Sequence, residues 1–261
     1  MKRPTIPALR TAYDGQQQRL VAWLRDLPAE AWDRPSVLTA WTIRDLAFHT
    51  TEVPGSLTRA LTAGSVKVKA LSIAEYTAAW RANAGQIAER DKSGAAGMSP
   101  TDVLARLDAE HAAMEAALDQ VDRDVIVGAR RGPIRVSDFL VTRVNELVVH
   151  SRDLSASVAD AQPVGIDGSA LGFAVRMLLA ILGERAPGKS VEVRVPPYAA
   201  VQCIEGPRHT RGTPSNVIEV EPMLWVELAC GRVNWPDAVA TGQVHASGER
   251  ADLSEQLPVL S

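Results

Sequence analysis

A chain of 261 residues with 46% hydrophobic content can bury one large core or two of ordinary size. Its formal charge of -3 comes from 28 basic and 31 acidic side chains scattered along the sequence. That pattern leaves neither the basic footprint that nucleic acid requires nor the cationic cluster that an anionic membrane attracts. The N-terminus carries basic residues without a continuous apolar region, so no secretory signal is expected. The longest apolar stretch, around residues 173–182, contains Arg176 and is too short to span a bilayer. A cytoplasmic protein is expected. Cys203 and Cys230 are too few and too far apart for a zinc ribbon or a redox pair, and they read as small buried hydrophobes.

The first 157 or so residues read as helix. Leu9, Tyr13, Leu20, Leu24 and Leu27 recur at helical spacing, Gln16 and Gln17 interrupt that stripe, and Pro28 closes it. Thr42 and Asp45 have the spacing of a capping box. They open a second helix whose face carries Leu46, His49, Val53 and Leu57, with Pro54 as a point for a kink or an early break. A third helix is predicted over residues 73–90, with Ile73, Trp80 and Ile87 on one side, followed by a loop over 93–97. Ser99 and Pro100 start a fourth helix carrying Leu104, Leu107, His111, Met114, Leu118 and Val121. After a break at 128–133, a fifth helix is predicted from 136 or 137 to about 157. This is the pattern of an antiparallel, up-down helical bundle, assigned to residues 1–158.

The texture changes after Pro163. An apolar helix at about 169–183 leads into β-like runs at 191–195, 199–204 and 217–220. Helical pieces at 223–229 and 235–240 and a strand at 243–246 follow. Residues 159–261 therefore read as a separate α+β domain.

Glu146 and His150 lie one helical turn apart on a stripe with Val136, Phe139, Arg143 and Leu154. A carboxylate and an imidazole on an apolar stripe are costly to bury without partners. His49 sits on the apolar face of another helix. Packing the two faces together would place two imidazoles and a carboxylate around one divalent cation, with a coordination position left open. An ordinary surface pair and a lone core histidine explain the same spacing. Arg143 is a candidate catalytic residue that would receive a substrate carboxylate, or it forms a salt bridge inside the bundle. Asp153 would orient an imidazole, or face solvent. Asp45 is assigned to capping. His111, with Glu110 and Glu115 nearby, is the rival ligand and is read as a core or pocket-lining histidine.

The run from Trp41 through Thr42, Ile43, Arg44 and Asp45 to His49 resembles the helix-opening motif of the mycothiol-dependent maleylpyruvate isomerase family, within the wider DinB-like metal-binding bundles. Asn145-Glu146-Leu147-Val148-Val149-His150, followed by Ser151-Arg152-Asp153-Leu154, resembles its second signature. The resemblance covers residues 5–157. It implies His49, Glu146 and His150 as ligands of zinc or another divalent metal, and mycothiol as thiol cosubstrate. Leu38 and Ala40 precede Trp41 where relatives often have a cysteine and a glycine.

Residues 231–238 and 242–248 resemble the C-terminal signature of sterol-carrier-protein-like domains, which implies an α+β fold around an apolar pocket. Leu224, Trp225, Leu228 and Val244 would line such a pocket, or form plain core. Arg208 and Arg211, in a turn-rich segment, are candidate cofactor-binding residues, or solvated loop charges. Two functions fit. One is a metal- and thiol-dependent transferase or isomerase acting on a small electrophile. The other is a carrier of an apolar ligand with a structural or vestigial metal site. A monomer or homodimer suits either.

Overall fold

In the computed structural model the described residues are 3–78, 80–206 and 215–260, with 81–84 described by their backbone only. The chain divides into two compact units. One gathers Lys2–Ser72 with Ala82–Ala170, and the other gathers Leu171–Ser261 with Ile73–Arg81. Among the described residues no helix is long and apolar enough to cross a membrane.

The first unit is built on helices α1 (Ile6–Asp26), α2 (Ile43–Thr62), α4 (Trp80–Ala95, all but its first two residues), α5 (Pro100–Leu118) and α6 (Val136–Ser157); a short α3 (Ile73–Thr77), between α2 and α4 in sequence, belongs to the other unit. Two start signals work as the sequence predicts. The Thr42 hydroxyl accepts from the Asp45 amide at 3.1 Å, and the Asp45 carboxylate accepts from the Thr42 amide at 2.8 Å. Ser99 and Asp102 form the same reciprocal pair at 3.2 and 2.9 Å. Each pair satisfies two amides that a helix start otherwise leaves without partners.

Side-chain pairs fix the helix directions. Arg3–Asp138 and Gln16–Ser151 both join residues 135 apart, so α1 and α6 run parallel. Asp14–His111 and Arg10–Glu115 make α5 antiparallel to α1. His49–His150 and Ser56–Arg143 make α2 antiparallel to α6. Phe48–Gly94 and Glu52–Arg90 turn α4 against α2. The five long helices thus alternate in direction along the chain. Their inward stripes, including Leu9, Leu20, Leu46, Leu57, Leu107, Met114, Leu140 and Leu147, are fully buried. Each such side chain contributes roughly 2 kcal/mol through removal from water.

Pro54 lies within α2 without ending it, so of its two alternatives the early break does not occur. Two features differ from the sequence expectation. The predicted helix over 73–90 is two helices, and α4 runs on through Ser93 and Gly94, where a loop was expected. The glycine there serves close packing: a Cβ at position 94 would strike the Phe48 ring. The break at 128–133 is a β-hairpin of β1 (Ile126–Ala129) and β2 (Gly132–Arg135), with Val127 opposite Ile134. Its four-residue strands and Arg130-Arg131 turn lack the Asn-Gly or Asp-Gly signal that marks a hairpin.

The loop before α2 holds Ala40 at φ 63°, in the left-handed region. An alanine pays for its Cβ there, whereas glycine does not. Ala40→Gly is therefore expected to leave the unfolding free energy unchanged or raise it by up to about 1 kcal/mol, against the usual loss of about that size inside a helix. Chemical denaturation reads the sign.

The second unit contains α7 (Gly168–Arg185), β3 (Val191–Val195), β4 (Ala199–Cys203), β5 (Val217–Val220), α8 (Pro222–Ala229), α9 (Trp235–Ala240) and β6 (Val244–Ser247). The sheet order is β4-β3-β5-β6. Strand β3 is antiparallel to β4 and parallel to β5, and β5 is antiparallel to β6. Val191, Val193 and Val195 point into the core, while Glu192 and Arg194 pair on the other face at 2.6 Å. Leu178, Leu179, Leu182 and Trp225 are fully buried, and Leu224, Leu228 and Val244 are buried beside them in the core of this unit. Cys203 and Cys230 are both buried thiols, and burial pushes the Cys203 thiol up to about 11.

Candidate metal centre

Helix α6 presents Glu146 and His150 one turn apart, and α2 brings His49 from across the bundle. His150 Nε2 lies 3.3 Å from Glu146 Oε2, and His49 Nε2 lies 3.7 Å from the same oxygen. The two imidazoles meet edge to face, with ring centres 4.7 Å apart and planes at 89°. One donor atom from each residue lies within 4.8 Å of the others. The Trp41 ring closes one side, edge-on to His49 at 5.4 Å.

The far sides of both rings are fixed. His49 Nδ1 meets Asp91 Oδ2 at 2.6 Å, and His150 Nδ1 meets Asp153 Oδ2 at 3.0 Å. Asp91 is fully buried on α4 and takes a second bond from Arg90 Nε at 2.7 Å. Asp153 is 2% exposed. This decides between its two sequence readings, because a solvent-facing charge would not be buried. With each Nδ1–H donating to a carboxylate, each Nε2 presents a lone pair to Glu146, which offers only lone pairs of its own. That arrangement is satisfied by a proton or by a cation among the three donors.

The electrostatics agree. Burial disfavours a charged His49, but its bonds to Asp91 and Glu146 outweigh that and raise its pKa to about 9. Burial also opposes ionisation of Glu146, yet the two histidines and Arg143 hold its carboxyl well below the usual range. Two imidazoles and one carboxylate, each imidazole backed by a second carboxylate, fit a divalent metal such as zinc.

Arg143 is buried, with its guanidinium over the Phe139 ring at 5.1 Å. Its Nη2 is 3.8 Å from Glu146 Oε1, and its Nη1 is 3.4 Å from Ser56 Oγ. It thus flanks the carboxylate on the side away from the histidines. His111 is not in this cluster. It pairs with Asp14 at 2.7 Å and lies against the Tyr13 ring. Arg208 and Arg211 lie outside the described residues.

The sequence reading missed Asp91. It lies four residues beyond Ile87, on the stripe that carries Trp80 and Ile87, and an acid at such a position is the signal that could have found it.

Residues 13–155, which include His49, Asp91, Glu146, His150 and Asp153, match the family described as the mycothiol maleylpyruvate isomerase N-terminal domain. The chain belongs to this family. Residues 167–259 match a second family, the bacterial SCP ortholog. A crystal structure of the mycothiol-dependent maleylpyruvate isomerase is similar at a TM-score of 0.61 and 16% identity, covering 94% of this chain and 93% of that one. A histidine-to-alanine mutant of that enzyme is similar at 0.60 and 15%, with the same coverage. At these identities the likeness shows a shared fold. No curated protein matches this sequence.

Proposed function

We propose that this member of the family is a mycothiol-dependent isomerase or transferase that acts on a small electrophile and holds one divalent metal, zinc by preference, on His49, Glu146 and His150. The observation that carries this reading is the convergence of the three donors with both Nδ1 atoms already committed to carboxylates. A cation bound there supplies positive charge that lowers the pKa of a thiol brought to it. Asp91 and Asp153 fix the tautomers and the ring directions, so both Nε2 lone pairs face inward. Arg143 adds to the two histidines in keeping Glu146 ionised and offers a fixed cation for a carboxylate on the substrate. Both cysteines are buried, so the thiol comes from outside, and the family points to mycothiol as its source.

The thiol releases its proton to water, and the thiolate forms a C–S bond to the electrophilic end of a carbon–carbon double bond conjugated to a carbonyl. The electron pair of that double bond moves to the carbonyl oxygen. Rotation about the resulting single bond and expulsion of the thiolate, which takes a proton back from water, restore the double bond in its other geometry. If the adduct is instead protonated, the product is a thioether and the reaction is a transfer.

Mycothiol at a hundred times its dissociation constant is expected to stabilise the metal-loaded protein by about 2.7 kcal/mol. For a chain of this size that raises the melting temperature by several degrees. A melting temperature unmoved by millimolar mycothiol would instead favour the apolar-ligand carrier that the match over residues 167–259 suggests.

A further inference from the structure

A second cluster in the helical unit repeats the construction of the first. His111 and Glu115 stand four residues apart on α5, and α1 supplies Asp14 from across the helix pair. One donor atom from each lies within 4.8 Å of the others. His111 Nε2 is 2.7 Å from Asp14 Oδ1.

The two oxygens of Glu115 are unequal. Oε2 accepts from Arg10 Nη2 at 2.5 Å, while Oε1 is buried with no hydrogen-bond partner among the described residues. Arg10 is also shared with Asp119, at 2.8 Å. Glu115 and Asp119 therefore share one guanidinium, and Asp14 bonds the His111 ring, which gathers three carboxylates beside one arginine. A buried acceptor with nothing to accept is costly, and so is a crowd of like charges. A divalent cation answers both, using Glu115 Oε1 while Arg10 retains Oε2.

We propose that Asp14, His111 and Glu115 form a second divalent-cation site, independent of the thiol-activating centre. One imidazole and two carboxylates suit zinc and manganese alike. The three side chains are 23–32% exposed, so water completes the coordination and the site is the weaker of the two. It fills on titration rather than surviving purification.

The test is a titration of metal-stripped protein with zinc and with manganese against a chromophoric chelator, with stoichiometry read by native mass spectrometry. Wild type is expected to take two equivalents, and the His49→Ala, His150→Ala variant only the weaker one. His111→Ala with Glu115→Gln is expected to keep the tight equivalent and lose the weaker. If that variant fails to fold, Asp14→Asn, which preserves side-chain volume at a partly exposed position, replaces it. Saturation of wild type at the tight equivalent alone would overturn the proposal. So would a second equivalent that persists in the His111, Glu115 variant or in Asp14→Asn. Failure of the first centre is distinguishable, because the tight equivalent would then be missing while the weaker one still responds to Asp14→Asn.

Discussion

Protein with His49, Glu146 and His150 all replaced by alanine is expected to be isolated without stoichiometric metal, where wild type carries one equivalent. Among the described residues the three form this donor group, and the partners left behind, Asp91 and Asp153, meet the rings on the sides away from the cluster. Elemental analysis beside circular dichroism reads the result, because the helical signal reports whether the bundle survives. Single replacements rank the donors. Glu146→Ala is expected to be the most severe, since it removes the only carboxylate of the set and leaves Arg143 beside two imidazoles. Metal retained at wild-type stoichiometry by the triple variant would remove the basis for thiol activation.

The second large effect belongs to a residue that touches no substrate. Asp91→Ala leaves His49 Nδ1 without its partner and takes from Arg90 its closest carboxylate, at 2.6 Å. Breaking a buried charged pair by deleting one side costs about 3–5 kcal/mol. Arg90 is 44% exposed and rehydrates, so the loss in unfolding free energy is expected near the lower end of that range. Asp91→Asn separates stability from metal binding. It keeps the volume, but as a neutral amide it lets the His49 ring tautomerise or turn. Metal affinity is expected to fall by about 10–100-fold with a smaller loss of stability. Equal metal affinity in Asp91→Asn and wild type would mean that the His49 ring is held by packing alone.

The fold was legible where local chemistry acts over a few residues. The capping boxes at Thr42 and Ser99 and the apolar stripes of α1, α2, α5 and α6 each follow from side chains within one or two helical turns. The same holds for the alternating valines of β3. The candidate donors were legible in pairs, because Glu146 and His150 share a helix face whatever the tertiary structure. The partner helix of His49 followed from its apolar face and from the family motif. What escaped depends on distant chain. Nothing near Asp91 announces that α4 lies against α2, and Gly94 resembles a loop residue until the Phe48 ring above it is seen. The hairpin escaped because its strands are held by partners elsewhere, with Ser65 bridged to Val127 and the Leu71 amide bonded to the Pro133 carbonyl.

The close approach of Gly94 to Phe48 links a distant position to the proposed metal centre. The Phe48 ring is buried, with the Arg106 guanidinium 4.9 Å over it, so it has little room to swing aside. A methyl group at position 94 acts as a wedge, and the movement it forces is borne by the helix that carries Asp91 three residues earlier. Gly94→Ala alters no donor and no charge, and helix propensity alone would favour it. It is nonetheless expected to loosen metal binding in a metal titration by backing Asp91 away from His49, so that at the proposed centre the grip on an ion would depend partly on how thin one helix is kept.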